Sequence, residues 1–157
     1  MENEAVTFRE MRRGDKEIVT EMMRRFYNSP AVYTNGSEEI YAANFDNCTG
    51  GSNFVDGFIF EVGGKIIGYG ILAKSYSTEF GGECVWIEDI FVEAGWRGRG
   101  IGSEFIRRVA EKYSGKILRL EVENDNSAAL ALYKKFGFTE LPYAELILTR
   151  GERVGNH

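Results

Sequence analysis

Hydrophobic and polar positions along the chain switch repeatedly between two periods, and each switch marks an element. Residues 5 to 11, AVTFREM, alternate as an edge strand does. Gly14-Asp15 then opens a helix whose apolar face is Val19, Met22, Met23 and Phe26. Pro30 and Asn35-Gly36 break the regularity, after which Ser37 can cap a shorter helix carrying Ile40, Tyr41 and Phe45. From Phe54 the period is extended. FVDGFIFEV, the pair Gly63-Gly64, and KIIGYGILAKSYS read as a β-hairpin with a two-residue glycine turn. A second pair, Gly81-Gly82, leads into ECVWIEDIFV, which completes a meander of three antiparallel strands.

The stretch AGWRGRGIGSEF, residues 94 to 105, follows that run, and positions 102, 105, 106, 109 and 113 then recur at helical spacing before the strand KILRLEV. Strand, helix and strand make a parallel crossover, expected to be right-handed. Asn126 can cap a further helix with Ala129, Leu132, Tyr133 and Phe136 on one face, ended by Gly137 at its C′ position. The closing FTELPYAELILTR reads as a hairpin-like pair of strands. The 157 residues suit one domain, 1–157, with GERVGNH (151–157) as a flexible tail.

Composition narrows the chemistry. At 43% hydrophobic and 27% charged residues, with two prolines, the chain has the balance of a globular protein. A net charge of -5 gives no clustered excess of Lys and Arg for a polyanion, which argues against nucleic acid as the main partner. Cys48 and Cys84 form no metal-like or redox-like spacing, and the charged amino terminus has no apolar leader core. No stretch approaches the roughly 18 apolar residues of a membrane span. These features point to a cytoplasmic protein with no membrane partner. The one histidine, His157, is the last residue, so neither histidine catalysis nor a metal site is expected.

Helix N-termini expose unpartnered N–H groups and carry about half a positive charge, so they stabilise anions. In WRGRGIGS, Gly98, Gly100 and Gly102 remove Cβ atoms from the face an anion must approach, and Arg97 and Arg99 add positive charge. A lone G-x-G is as readily a tight turn with solvated arginines. Here it follows a strand and opens a helix, yet it fits neither the dinucleotide fingerprint nor a nucleotide triphosphate loop. Some other pyrophosphate ligand is indicated.

RGRGIG resembles the Arg/Gln-x-x-Gly-x-Gly/Ala signature of the GNAT acetyltransferase superfamily, with Arg97, Gly100 and Gly102 in the defined positions. NSAALALYKKFGF is similar to that family's Asn-x-x-Ala-x-x-x-Tyr-x-x-x-Gly-Phe block, with Asn126, Ala129, Tyr133, Gly137 and Phe138 in register. EDIFVEAGWRGRGIGSE is also similar to the diamine (spermidine/spermine) acetyltransferase branch. The resemblance spans most of the chain, although the first 80 residues match only in pattern. It implies an α/β (α+β) fold: a mixed, mostly antiparallel sheet of six to seven strands, flanked by about four helices and splayed between strands 4 and 5. It implies acetyl-CoA as co-substrate, with the pyrophosphate held by Arg97, Gly98, Arg99, Gly100, Ile101, Gly102 and Ser103. Ile90, Phe91 and Val92 would hold the pantetheine arm, and Asn126 and Tyr133 complete the cofactor set.

Acetyl transfer to an amine needs an unprotonated amine, stabilisation of a developing oxyanion, and a proton for the leaving thiolate. The resemblance assigns the oxyanion to a backbone N–H, foremost that of Phe91, and the proton to Tyr133, which is otherwise a core aromatic of its helix. Simple alternation places Glu88 on one strand face with Trp86 and Ile90, toward the site, and turns Asp89 away unless a bulge intervenes. Glu88 is the candidate base, with a water relay as the alternative. Tyr27, Tyr33, Glu38, Glu39, Tyr143 and Glu145 offer an acidic and aromatic acceptor surface. The leading reading is N-acetyl transfer from acetyl-CoA to a primary amine of a small cationic substrate by direct attack. The alternatives are a protein N-terminal or lysine acetyltransferase and a non-catalytic acyl-CoA-binding module. Exposed sheet edges leave a homodimer open.

Overall fold

The computed structural model describes residues 5–149. Five strands form one sheet in chain order: β1 (Thr7–Glu10), β2 (Val55–Val62), β3 (Lys65–Ser77), β4 (Gly82–Val92) and β5 (Ile117–Leu120). The first four are antiparallel neighbours, and β5 runs parallel to β4. The helices are α1 (Lys16–Tyr27), α2 (Glu38–Thr49), α3 (Ile101–Lys112) and α4 (Ser127–Phe136). The β2–β3 turn has Gly63 and Gly64 at φ 55° and 80°, the paired positive values that a tight hairpin turn demands.

The sheet is covered on both faces, so its inner strands read as continuous apolar runs. Phe58, Phe60 and Val62 of β2 join Phe105, Ile106 and Val109 of α3 in one core. Ile59, between them in sequence, joins the other core with Val19, Met22 and Met23 of α1 and Tyr41 and Phe45 of α2. The residues expected on the α1 face are those that bury, with Val19, Met22 and Met23 fully enclosed. Ser37 Oγ caps α2 by accepting from Ile40 N at 3.2 Å. At 12 residues α2 is as long as α1, not shorter.

Five strands among the described residues are fewer than the six to seven expected. The stretch read as a last hairpin contains no strand through Thr149. Strand propensity is realised only through a paired, half-buried ladder, and here the side chains are engaged elsewhere. Tyr143 Oη donates to Glu79 Oε2 at 3.0 Å, whereas Leu146, Ile147 and Leu148 are 93%, 83% and 78% exposed. The expected tail, 151–157, lies outside the described residues.

Candidate active site

Two irregularities of β4 coincide. Toward β3 the pairs run Ala73 with Trp86, Leu72 with Ile87, and then Ile71 with Asp89, which leaves Glu88 as an inserted residue. Toward β5 the ladder ends at Ile87 with Leu120, and residues 88–92 continue with no partner on that side. The expected splay between strands 4 and 5 therefore opens at the bulge. A bulge shifts alternation by one residue. Val85 and Ile87 face the α3 core before it, and Ile90 and Val92 do so after it. Trp86 and Ile90 thus lie on opposite faces, contrary to the simple alternation that grouped both with Glu88.

The ladder also decides which amides face the gap. Glu93 N donates to Ile67 O at 2.8 Å, which marks that pair as hydrogen-bonded. Two residues earlier Phe91 and Tyr69 are again such a pair, while the N–H groups of Ile90 and Val92 turn away from β3. Val92 O points the same way and accepts from Arg97 Nε at 2.8 Å. Phe91, the expected oxyanion donor, has its amide inside the sheet, so the available donors are Ile90 and Val92. The Phe91 ring lies in the α1/α2 core, with the guanidinium carbons of Arg25 and Arg97 at 5.2 and 5.7 Å from its centroid.

The glycine-rich loop leads from this edge to α3. Gly100 is the N-cap of α3, at φ 78° and with no side-chain cap. The first helical bond is Glu104 N to Gly100 O at 3.0 Å, so the amides of Ile101, Gly102 and Ser103 have no intrahelical partner. Gly98 also has a positive φ, 76°, and around both glycines the space a Cβ would enter is open. The Ile101 side chain is buried in the core and offers a ligand only its amide. Arg99 packs over Trp96 at 4.6 Å, and with Arg97 it keeps two positive charges at the loop. Three unpartnered amides at a helix start, two arginines and a free strand edge fit a diphosphate with an extended arm.

Tyr133 is half-buried on α4, packs against the same core that Ile90 and Val92 border, and meets Phe138 edge-on at 6.0 Å. Burial raises its phenol above the ordinary range, so it is protonated at neutral pH. Asn126 Oδ1 accepts from Ala129 N at 3.2 Å and caps α4. Its backbone N–H donates to Glu123 O and its carbonyl accepts from Leu130 N, both at 3.0 Å, which leaves the side-chain Nδ2 for a cofactor. Gly137, at φ 101°, closes the helix as expected.

Carboxylates gather at the open end of the splay. Partial burial and then the charge of Glu145 raise the Glu88 carboxyl above its usual range. Burial, the charge of Glu145 and a hydrogen bond with it, and Glu88 raise Glu121, against the pull of Arg119. The rest of the expected acceptor surface is redistributed. Glu38 is ion-paired with Arg24, Tyr143 bonds Glu79, and Tyr27 turns inward. Tyr33 and Glu39 are exposed.

Asp89 is the residue sequence reasoning passed over. It is 4% exposed and accepts from Tyr27 Oη at 2.8 Å and Tyr69 Oη at 3.2 Å. Burial pushes its carboxyl up to about 6, although both phenols pull it down. The signal available in the sequence was alternation: an Asp next to a Glu in an apolar strand cannot share its solvent face.

Clefts of about 340 Å³ between Arg13 and Phe45 and about 240 Å³ beside Cys48 are lined by none of these residues. Among the described residues no group of three His, Cys, Asp or Glu side chains is arranged to hold a metal, and no helix is long and apolar enough to cross a membrane.

Residues 18–138 match the sequence profile of the acetyltransferase (GNAT) family. The chain is 32% identical over 154 residues to thialysine N-ε-acetyltransferase of Sus scrofa, covering 90% of this chain and 88% of that protein. It is 43% identical over 83 residues to the Bos taurus protein of the same name, a match that covers 51% of this chain and 48%, about half, of that protein. Spermine/spermidine N(1)-acetyltransferase of Bacillus subtilis is 28% identical over 81 residues, 48% of this chain and 53% of that one. The crystal structure of a possible acetyltransferase from Clostridium difficile 630 superposes with a TM-score of 0.78 at 18% identity, covering 95% of this chain and 100% of that one. With that profile spanning the splayed sheet, the glycine-rich loop and the Tyr133 helix, the chain belongs to the acetyltransferase (GNAT) family.

Proposed function

We propose that this chain transfers the acetyl group of acetyl-CoA to a primary amine of a small cationic substrate by direct nucleophilic attack. The observation that carries the reading is the coincidence, at Glu88, of the β4 bulge with the end of the β4–β5 ladder, immediately upstream of the uncapped start of α3. The thioester supplies the activated acyl group. The amides of Ile101, Gly102 and Ser103, with Arg97, Gly98, Arg99 and Gly100, hold the pyrophosphate, and the edge of Ile90 to Val92 holds the arm. An N–H of Ile90 or Val92 donates to the carbonyl oxygen as it gains charge.

Glu88 takes a proton from the bound ammonium, directly or through one water, and the free amine then attacks the thioester carbonyl. The raised pKa of Glu88 suits that role, because a base works best with a pKa near the working pH. C–N bond formation gives a tetrahedral oxyanion, whose collapse breaks the C–S bond; Tyr133 gives its proton to the departing thiolate, and the proton that the nitrogen sheds on becoming an amide restores the phenol through solvent. Glu145 adds to the raised proton affinity of Glu88 and of Glu121, and Glu88 adds to that of Glu121, so a cationic acceptor relieves a repulsion that the carboxylates otherwise carry. This supports an amine carrying a second positive charge.

A thiol-release assay over polyamines, lysine-like amines, aminoglycosides and free N-terminal peptides tests the reading. Release with small polycationic amines and not with peptides is expected. Release with peptides alone overturns the small-substrate reading, and coenzyme A binding with no release for any amine assigns a binding module instead.

A further inference from the structure

A carboxylate buried without a cation is costly, and such groups are kept where their hydrogen bonds do something specific. Asp89 is such a group: its bonds among the described residues come from two phenols, Tyr27 Oη and Tyr69 Oη. Tyr69 belongs to β3 and lies wholly in the sheet core. Tyr27 is the last residue of α1, where the loop of residues 28–37 begins. Its ring stacks on Tyr41 of α2 at 5.7 Å between centroids and 25° between planes. Tyr41 Oη in turn donates to Asn35 O, and its ring packs against Gly36, where an added Cβ would come within 2.6 Å. One line of contacts therefore runs from the residue after the bulge, through Tyr27 and Tyr41, to the far end of the α1–α2 loop.

We infer that Asp89 is a positioning residue: it anchors the end of α1 to the β4 bulge and so holds the α1–α2 loop, through Tyr27 and Tyr41, over the side from which the amine arrives. The inference rests on the proposed acetyl transfer for its kinetic consequence, and on geometry alone for the tether. Asp89 touches no reacting atom in this account. It sets where the acceptor wall stands, which acts on amine KM and leaves coenzyme A binding alone.

The test compares Tyr27→Phe and Asp89→Asn with Tyr69→Phe. Tyr27→Phe keeps the ring stack and removes only the bond to Asp89. Tyr69→Phe removes the other bond and leaves α1 tethered. Steady-state kinetics with the best amine of the panel should show KM raised about tenfold in Tyr27→Phe and Asp89→Asn with kcat changed less than threefold. Tyr69→Phe should stay within twofold in KM, and coenzyme A affinity should be unchanged in all three. Hydrogen exchange gives a readout free of turnover. The amides of Ile40 and Tyr41, which bond Ser37 at 3.2 and 3.0 Å, should exchange at least tenfold faster in Tyr27→Phe and Asp89→Asn than in Tyr69→Phe. Equal effects of both phenol deletions, or none from Tyr27→Phe, would overturn the tether. If no amine is acetylated, the exchange comparison still decides it, and the proposed reaction alone falls.

Discussion

Ile87 is paired on both sides, with Leu72 of β3 and Leu120 of β5, while Glu88 beside it is paired on neither. One peptide step thus takes β4 from the middle of a sheet to a free edge. The bulge rotates the strand, so that Glu88 reaches solvent and Asp89 enters the core. From Glu88 to Val92 no strand pairs with β4 on the β5 side. The inserted residue and the gap are a single feature, and the proposed chemistry is built around it.

Glu88→Gln removes the proposed base and should lower kcat/KM for the amine by roughly a hundredfold. The acid limb of the wild-type profile should disappear with it. Because burial and then Glu145 raise the Glu88 carboxyl, Glu145→Gln should move that limb to lower pH and increase kcat/KM on its acid side. A pH series on the three proteins checks both. A Glu88→Gln profile identical to the wild type would assign the proton to a water relay.

Tyr133→Phe keeps the edge contact with Phe138 and deletes only the hydroxyl. The expected result is a kcat roughly tenfold or more below wild type, with the KM for acetyl-CoA unchanged. Burial raises the phenol, so the basic limb of the wild-type kcat profile should fall above the ordinary tyrosine range. An unaltered kcat would leave Tyr133 as a packing residue.

Asp89 should also mark the stability curve. Its carboxyl sits at about 6 in the fold, raised chiefly by burial, against about 3.9 in an unfolded chain. Between those values the folded protein keeps a proton that the unfolded chain has released. The contribution is therefore fully present below about pH 4 and is lost as pH rises through about 6, by about 3 kcal/mol at most. Urea unfolding of the wild type and Asp89→Asn at pH 4 and pH 7.5 should show the gap moving against the wild type by up to that amount. A gap independent of pH would contradict the burial of an ionisable carboxyl.

Much of this architecture is legible in the sequence because local chemistry and tertiary demand agree. The Gly63-Gly64 turn, the Ser37 and Asn126 caps, Gly137 and the α1 apolar face each follow from one local rule. The site loop is legible for the same reason, since a helix start without a capping side chain leaves its amides exposed wherever it occurs. What the sequence hides is non-local. A bulge is invisible to period counting, so the face of Trp86 was misassigned and the importance of Asp89 missed. The ladder phase that hands the gap to Ile90 and Val92, not Phe91, depends on the register with β3. The segment after Phe138 has the composition of strands, but strand formation requires a paired neighbour, and its side chains reach Glu79 and Glu121 instead.

The central claim is that the start of α3 clasps the diphosphate of coenzyme A, and calorimetric titration of coenzyme A into the wild type and Gly100→Val tests it most directly. Gly100 holds φ 78° with open space around it, so a valine there strains the backbone by about 1–3 kcal/mol and fills the approach to the free amides. With helix content confirmed by circular dichroism, the account predicts saturable binding to the wild type and at least tenfold weaker binding to the variant. No binding to the wild type, or equal affinity in both proteins, would contradict it.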